Sequence, residues 1–307
     1  MIRVSVIVPL YKSAQFLPTL FGNLQQQSIA SDIECIFIDD HGGDDSTAVA
    51  RSLAADAPFK CLFGATAANG GPGAARNAGL SLATGEYIAF LDSDDALNAT
   101  FCERLYDAAF TANADLAYGH ILEVNGSRSR VRRNPVVGNG DFNQGKREYF
   151  LTHYKSFFTS FIYRRSFLLE NGIDFPATRS GEDSCFLAKA LLLARRIACV
   201  NEALYHYVRR EGSITKESNP FRYEERLKSF DALLDFAREK GIYGPDSDKD
   251  LLDYIYIKKA MITGVLDCRS ARSEIVNHCT NRVPDMRGNR YLRRDPAARL
   301  AVFALQA

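Results

Sequence analysis

The sequence predicts an α/β protein, a doubly wound and mostly parallel sheet followed by a run of helices. Two observations carry that reading. Strand and helix signals alternate through the first hundred residues, as βαβ units require, and from Pro220 onward only helical patterns remain. Composition permits it: 307 residues, 46% hydrophobic and 24% charged, make an ordinary globular chain of one large domain or two modest ones.

The predicted strands are Ile2 to Pro9, Glu34 to Asp40, Lys60 to Gly64 and Glu86 to Leu91. Each is a short β-branched or aromatic run bounded by turn residues, as strands buried on both faces tend to be. After Ser13, the residues Phe16, Leu17, Leu20, Phe21 and Leu24 recur at helical spacing. A second helix is predicted after Ser46 and Thr47. A third starts at Pro72, a favourable first-turn residue, with Ala75, Ala78, Gly79 and Leu82 along one side. Linked in this way, the strands present a ligand site at their carboxyl ends.

Past Asp94 the pattern loosens. Asn125-Gly126 between Asp115 to Val124 and Arg128 to Arg133 predicts a hairpin, and residues 135–145 a loop rich in Gly and Asn. A helix is predicted over Gly181 to Arg196, with Phe186, Leu187, Ala190, Leu191 and Ala194 at helical spacing. The helices after Pro220 are interrupted at Gly241 to Asp246 and at Pro284. The expected domains are a core over residues 1–215 and a helical extension over 216–307.

Charge excludes one class of partner. Lys and Arg number 38 against 37 Asp and Glu, so the net charge of +1 sets up no field to gather nucleic acid. No apolar run reaches the roughly 18 to 20 residues that span a bilayer, and Met1 to Leu10 lacks a signal-peptide pattern. The expected location is the cytoplasm or the inner face of a membrane. Seven scattered cysteines fit neither a disulfide framework nor a zinc ribbon and read as reduced.

The chemistry-bearing residues cluster at strand ends. Asp39 and Asp40 close the second strand, and Asp92, Asp94 and Asp95 close the fourth; in a parallel sheet these carboxylates converge at one edge. Repulsion among them is relieved by a divalent cation or by the donors of a ligand, and a hard cation with phosphate oxygens suits Asp92 and Asp94. Helix capping is the plainer alternative. The segment Asn69-Gly70-Gly71-Pro72-Gly73-Ala74-Ala75-Arg76-Asn77 is neither a dinucleotide fingerprint nor a P-loop, because Arg76 fills the third glycine slot and no Gly-Lys-Ser/Thr follows. Its glycines let backbone amides approach an anionic ligand, and Arg76, one turn in, meets a phosphate or lies on a solvated face.

Taken in order, PLYKSAQFLPTLFGNLQQQS, FIDDHGGDDST, NGGPGAARNAGL, GEYIAFLDSDD and GEDSCF resemble the family 2 glycosyltransferases, inverting enzymes of GT-A fold. The resemblance spans about residues 2–215. It implies that Pro9, Tyr11 and Asp39 hold the nucleotide base, that Arg76 contacts the nucleotide, and that Asp92 and Ser93 bind the ribose side of the donor. Asp94 with Asp92 would hold Mn2+ or Mg2+. The chain departs from the family's pattern at His41-Gly42-Gly43, where Gly-Ser is commoner.

The implied reaction is a single in-line displacement that moves a sugar from a nucleotide-diphosphate donor, UDP being the expected nucleotide, to a hydroxyl of a saccharide or lipid-linked acceptor in surface polysaccharide synthesis. A base must take the acceptor's proton, and Glu182-Asp183 offers two. Asp183 lies three, four and seven residues before Phe186, Leu187 and Ala190, so it is expected to begin the inward stripe, with Glu182 turned toward the Lys189 side. The first helical turn favours the ionised form a base needs. Asp183 is therefore the expected base. His206, Arg210 and Ser213 are candidates for phosphate or metal contact. Rival readings are a non-catalytic sugar-nucleotide-binding protein and a haloacid-dehalogenase-like phosphatase, whose Asp-x-Asp would sit on the first strand.

The extension adds one expectation. Between Arg269 and Arg299 eight arginines face three acids, and Leu300, Val302, Phe303 and Leu305 lie beside them. This suits an anionic membrane surface, with a solvated face or a homodimer contact as the alternative.

Overall fold

The structure, a computed structural model, describes residues 1–154, 157–209, 221–244, 248–284, 286 and 288–306. Strands β1 (Val4–Leu10), β2 (Ile33–Asp39), β3 (Lys60–Ala65) and β4 (Tyr87–Phe90) pair in parallel in the order β3-β2-β1-β4. They are linked by α1 (Leu17–Gln25), α2 (Ser46–Ala54) and α3 (Pro72–Leu82). The apolar spacing after Ser13 is explained by the core: Leu17, Leu20, Phe21 and Leu24 all turn onto Val4, Val6, Val8 and Leu10, and Phe21 stacks on Phe37 with ring centroids 4.9 Å apart. A strand covered on both faces reads as a continuous apolar run, which made β1, β2 and β4 legible; β3, at the end of the sheet, has no fully buried residue, so the expectation of a strand enclosed on both faces does not hold for it.

The remaining elements are β5 (Ala96–Leu97), α4 (Phe101–Thr111), β6 (Leu116–Asn125), β7 (Arg128–Arg132), β8 (Gly140–Asp141), α5 (Gln144–His153), β9 (Phe161–Arg164), α6 (Arg165–Asn171), α7 (Glu182–Leu193) and β10 (Arg196–Val208). They extend the sheet as β4-β9-β6-β10-β5, with β7 and β8 at the side of β6 and β10. Here the sheet is mixed: β9 runs antiparallel to both β4 and β6, whereas β10 is parallel to β6. The predicted hairpin is present as β6 and β7 around Asn125-Gly126. The helix expected to reach Arg196 stops at Leu193, and Arg196 opens β10. That strand escaped prediction because register shifts between Cys199 and Tyr205 break its alternation. Tyr205 to Val208, with His206 among them, complete that strand.

By its internal contacts the chain divides into two units. Unit 1 holds Met1–Phe175 and Ala190–Ser213, and unit 2 holds Pro176–Lys189 and Ile214–Ala307. Unit 2 contains the start of α7, then α8 (Arg222–Glu239), α9 (Lys249–Tyr256), a π-helical turn over Ile257–Ile262, α10 (Thr263–Asp267), α11 (Arg272–Arg282), α12 (Arg290–Arg294) and α13 (Pro296–Gln306). Its core is built on Phe230, Leu233, Leu234, Leu252, Tyr256, Met261 and Ile275, all buried. All seven cysteines are free thiols. Among the described residues no helix is long and apolar enough to cross a membrane.

Candidate active site

Parallel pairing brings the ends of β2 and β4 to the two sides of β1 at one edge of the sheet. Leu10 is in register with Asp39, and Ile7 with Phe90, so Asp39 and the Asp92–Asp95 turn flank the chain as it leaves β1 through Tyr11. A polar web fixes these turns to one another. Ser13, 1% exposed, shares a 2.8 Å hydrogen bond between its Oγ and that of Ser93, and its N–H donates to Ser46 Oγ at 2.8 Å. Ser46 Oγ in turn donates to Asp44, whose Oδ2 also accepts from Ala14 N at 3.2 Å. Asp44 is held below its ordinary range: burial pushes it up, and these hydrogen bonds outweigh that. Lys12 and His41 both take positive φ, 51° and 55°. The two turns approach so closely that a Cβ on Gly42 would lie 2.6 Å from Lys12 N. Only glycine fits there, which accounts for Gly42 in the His41-Gly42-Gly43 departure.

The five strand-end carboxylates then separate by role. Asp40 is 2% exposed and accepts from Gly70 N at 2.9 Å, Gly71 N at 2.8 Å and Thr66 Oγ1 at 2.9 Å. This corrects the expectation that the glycine amides meet an anionic ligand: the anion they bind is Asp40, because the loop folds back on β2. Asp95 is also internal, accepting from Tyr205 Oη at 2.7 Å and Val208 N at 2.9 Å. Burial first, and the charge of Asp92 second, raise its pKa far above the carboxylate range. Asp39 accepts from His41 N through Oδ1 at 2.9 Å, and its Oδ2 receives no hydrogen bond from the described residues. Asp92, Ser93 and Asp94 stay half-buried, Pro9 likewise, and Tyr11 is 42% exposed.

Arg76 is 4% exposed, which overturns the solvated alternative. Its Nη2 donates to Asp92 Oδ1 at 2.7 Å, and its guanidinium lies 4.6 Å and 5.3 Å from the ring centres of Phe158 and Phe175. Asn77 fixes Phe175 by a reciprocal pair of 2.9 Å bonds to its backbone. Sequence reasoning missed both rings, since nothing local links them to Arg76, and it missed Ser13 and Ser46 as braces. Among the described residues no three His, Cys, Asp or Glu side chains form a metal cluster. Two neighbouring carboxylates, one with an oxygen already committed to Arg76, suit a hard cation that takes most of its ligands from a diphosphate. Mn2+ or Mg2+ thus fits the donor set of Asp94 and Asp92.

Asp183 lies in unit 2, in the first turn of α7. The expected register does not hold. α7 is enclosed on all sides, Glu182 (8% exposed) and Lys189 (5%) included, and Asp183 is the half-buried residue of its first turn. An enclosed helix has no outward face, so counting from an apolar stripe misjudges it. The start of α7 is stitched to α8. Ser229 Oγ donates to Ser180 O at 2.8 Å, so Thr178 Oγ1 is the donor in its own 2.5 Å bond to Ser229. Arg179 N donates to Glu225 Oε2 at 3.1 Å. Gly181 takes φ 82° with Ser229, Arg226 and Phe230 around its Cβ position, and there a side chain would be strained. On the π-helical turn, burial lowers the Lys259 pKa to about 8 against the opposing charge of Asp183.

His206 is half-buried in β10 opposite Ala96, and burial lowers its pKa. Arg210 and Ser213 lie outside the described residues.

The sequence profile described as Glycosyl transferase family 2 matches residues 5–171. The chain is 28% identical over 260 residues to the uncharacterized glycosyltransferase EpsJ of Bacillus subtilis, covering 82% of this chain and 74% of the relative. It is 31% identical over 218 residues to the poly(ribitol-phosphate) beta-N-acetylglucosaminyltransferase TarS of Staphylococcus aureus, covering 69% of this chain and 36%, about a third, of that longer relative. The crystal structure of S. aureus TarS 1–349 in complex with UDP superposes with a TM-score of 0.70 at 20% identity, over 99% of this chain and 89% of that one. The shared fold is GT-A.

Proposed function

The chain belongs to glycosyl transferase family 2 and is a glycosyltransferase, and on that premise we propose that it moves a sugar from a UDP-linked donor to a hydroxyl of a saccharide or lipid-linked acceptor. The observation that carries the reading is the meeting of Tyr11, Asp39 and the Asp92-Ser93-Asp94 turn at one sheet edge, braced by the Ser13–Ser93 and Arg76–Asp92 bonds. Support for UDP comes from the UDP complex of TarS on the same fold.

In this reading Asp39 Oδ2 accepts from the N–H of the base, beside Pro9 and the ring of Tyr11. Asp92 and Ser93 take the ribose. Arg76 acts from behind Asp92, holding that carboxylate in place. Asp94 with Asp92 would hold a bound Mn2+ or Mg2+, whose charge would stabilise the departing diphosphate. Asp183 accepts the acceptor's proton as that oxygen bonds to the anomeric carbon. The bond from that carbon to the diphosphate oxygen breaks with its electron pair, and the configuration inverts.

The experiment is UDP release from UDP-glucose, UDP-galactose and their N-acetyl forms, with Mn2+ and with chelator. One donor should be turned over with the metal, and Asp94→Asn should lose that turnover while its thermal unfolding stays unchanged. Undiminished turnover by Asp94→Asn in chelator would remove the metal assignment, and inertness toward every nucleotide sugar would remove the donor assignment.

For location, the exposed Arg293, Arg294, Arg299, Leu300 and Phe303 of α12 and α13 support contact with an anionic membrane face. The support is narrower than the sequence count. Val302 is buried, and Arg282 and Arg290 pair with Asp231, Asp235 and Asp250 from other helices. Sedimentation with anionic liposomes tests it: salt and Arg293→Ser/Arg294→Ser should both release the protein, and equal pelleting without either effect would dismiss the contact.

A further inference from the structure

The hairpin of β6 and β7 carries a charge that nothing in the donor site uses. Among the described residues β7 pairs only with β6, and Arg128, Ser129, Arg130 and Val131 are all exposed. On an extended strand residues 128, 130 and 132 share one face at a repeat of roughly 6.8 Å. Glu123, opposite Arg130, stands on that face too and accepts from Arg132 Nε at 2.5 Å and from Arg209 Nε. Those two cations, Arg132 foremost, hold its carboxyl below the usual range. One glutamate thus serves two arginines, while Arg128 and Arg130 have no acid among the described residues and Arg133 has only the amide of Asn201, at 3.3 Å. Five arginines face one acid in a chain whose net charge is +1.

Topology puts this surface beside the donor site, within unit 1. β4 and β6 are each antiparallel to β9, so they point the same way, and the Asn125-Gly126 turn projects from the sheet edge that carries the Asp92–Asp95 turn. Contact is short-range. Val208, paired with Val124, donates to Asp95 Oδ1 at 2.9 Å, and Arg209 N donates to Val124 O at 2.8 Å.

We propose that this hairpin docks the acceptor, and that the acceptor is a saccharide chain bearing phosphodiester groups, successive phosphates meeting the arginine face. The inference rests on the glycosyl-transfer reading above and names its acceptor class. Guanidinium forks match phosphate oxygens, and evenly spaced cations match a polymer whose anions recur. Exposed charge on an edge strand also deters pairing with another strand, so the test must separate docking from that protection.

A synthetic ribitol-phosphate oligomer, a neutral dextran of equal length and phosphatidylglycerol vesicles serve as probes against wild type, Arg128→Ser/Arg130→Ser and Arg128→Lys/Arg130→Lys. Wild type should bind the oligomer and not the dextran. The serine variant should bind it at least about tenfold more weakly, with the slope of log affinity against log salt smaller by roughly one to two. UDP-sugar hydrolysis should be equal in all three proteins. Equal oligomer binding by wild type and the serine variant overturns the proposal. So does binding of vesicles without the oligomer, which would assign the surface to a membrane. So does loss of donor hydrolysis in the lysine variant, or aggregation of the serine variant with oligomer binding intact, either of which would make the arginines structural. Absence of hydrolysis in wild type would count against the donor reading alone, since oligomer binding is measured without it.

Discussion

The strand edge of unit 1 and the helix start in unit 2 hold their candidate carboxylates in different ways. At the strand edge, Asp39 closes β2 and Asp92 lies two residues past β4, and the pairing of these buried strands dictates where they end. Their turns are tied by short polar contacts such as Ser13 to Ser93 and Arg76 to Asp92. Asp183 lies in the first turn of a helix, and what holds that start is α8, reached through Ser229 about fifty residues further along the chain. The lesson is that a carboxylate on a parallel strand end inherits its position from the sheet, whereas one at a helix start depends on the partner against which the helix is seated.

The largest effect expected from breaking this contrast is on Asp183. Asp183→Asn should lower transfer about 10²- to 10⁴-fold with donor affinity unchanged, because an amide cannot take the acceptor's proton. Single-turnover transfer beside donor binding by calorimetry measures both, and a loss confined to donor affinity would move the base elsewhere, Glu182 being next. Arg76→Met strikes the other region. It leaves Asp92 without its buried cation and should cost about 3 kcal/mol in urea unfolding, the low end for a broken buried pair because Asp92 is a third exposed. Donor affinity should fall with it, and an unchanged donor KM would mean that Asp92 holds its position without the arginine.

A subtler cut sharpens the comparison. Ser229→Ala removes the hydroxyl shared by Thr178 and Ser180 and should destabilise by about 1 to 2 kcal/mol. It should lower the transfer rate while leaving donor KM alone, and matched declines in both would show that the stitch to α8 serves general stability only.

The smallest effect is expected at the end of unit 2. Asp295 caps α13 at Ala298 N and accepts from Tyr254 and Lys258, at 3.0, 2.7 and 2.9 Å. Burial raises its pKa, but these bonds outweigh that and bring it down to about 2. A carboxyl with a depressed folded pKa adds stability above its unfolded value that is lost as pH falls toward the folded one. Asp295→Asn should therefore cost about 1 kcal/mol at pH 7, and the gap should close between about pH 4 and pH 2. Urea melts across that window check it; a gap independent of pH would assign the effect to packing.

Much of this was legible in the residues themselves. The four parallel strands, α1 to α3, the Asn125-Gly126 hairpin and the strand-end positions of Asp39, Asp92 and Asp94 follow from apolar runs and turn residues: local pattern suffices for β1, β2 and β4, which are buried on both faces, and the bounding turn residues marked the partly exposed β3. Tertiary structure alone decided what each carboxylate touches. Asp40 and Asp39 are adjacent, yet one is consumed by the amides of Gly70 and Gly71 and the other keeps an oxygen that no described residue bonds. Arg76 found Phe158 and Phe175, some eighty to a hundred residues away. The arginines of the last helices lost part of their charge to acids on α8 and α9. Periodicity reports which face of an element is apolar; it carries no information about which distant group will sit against a polar atom, since that pairing is settled only when the folded backbone brings the two within about 3 Å.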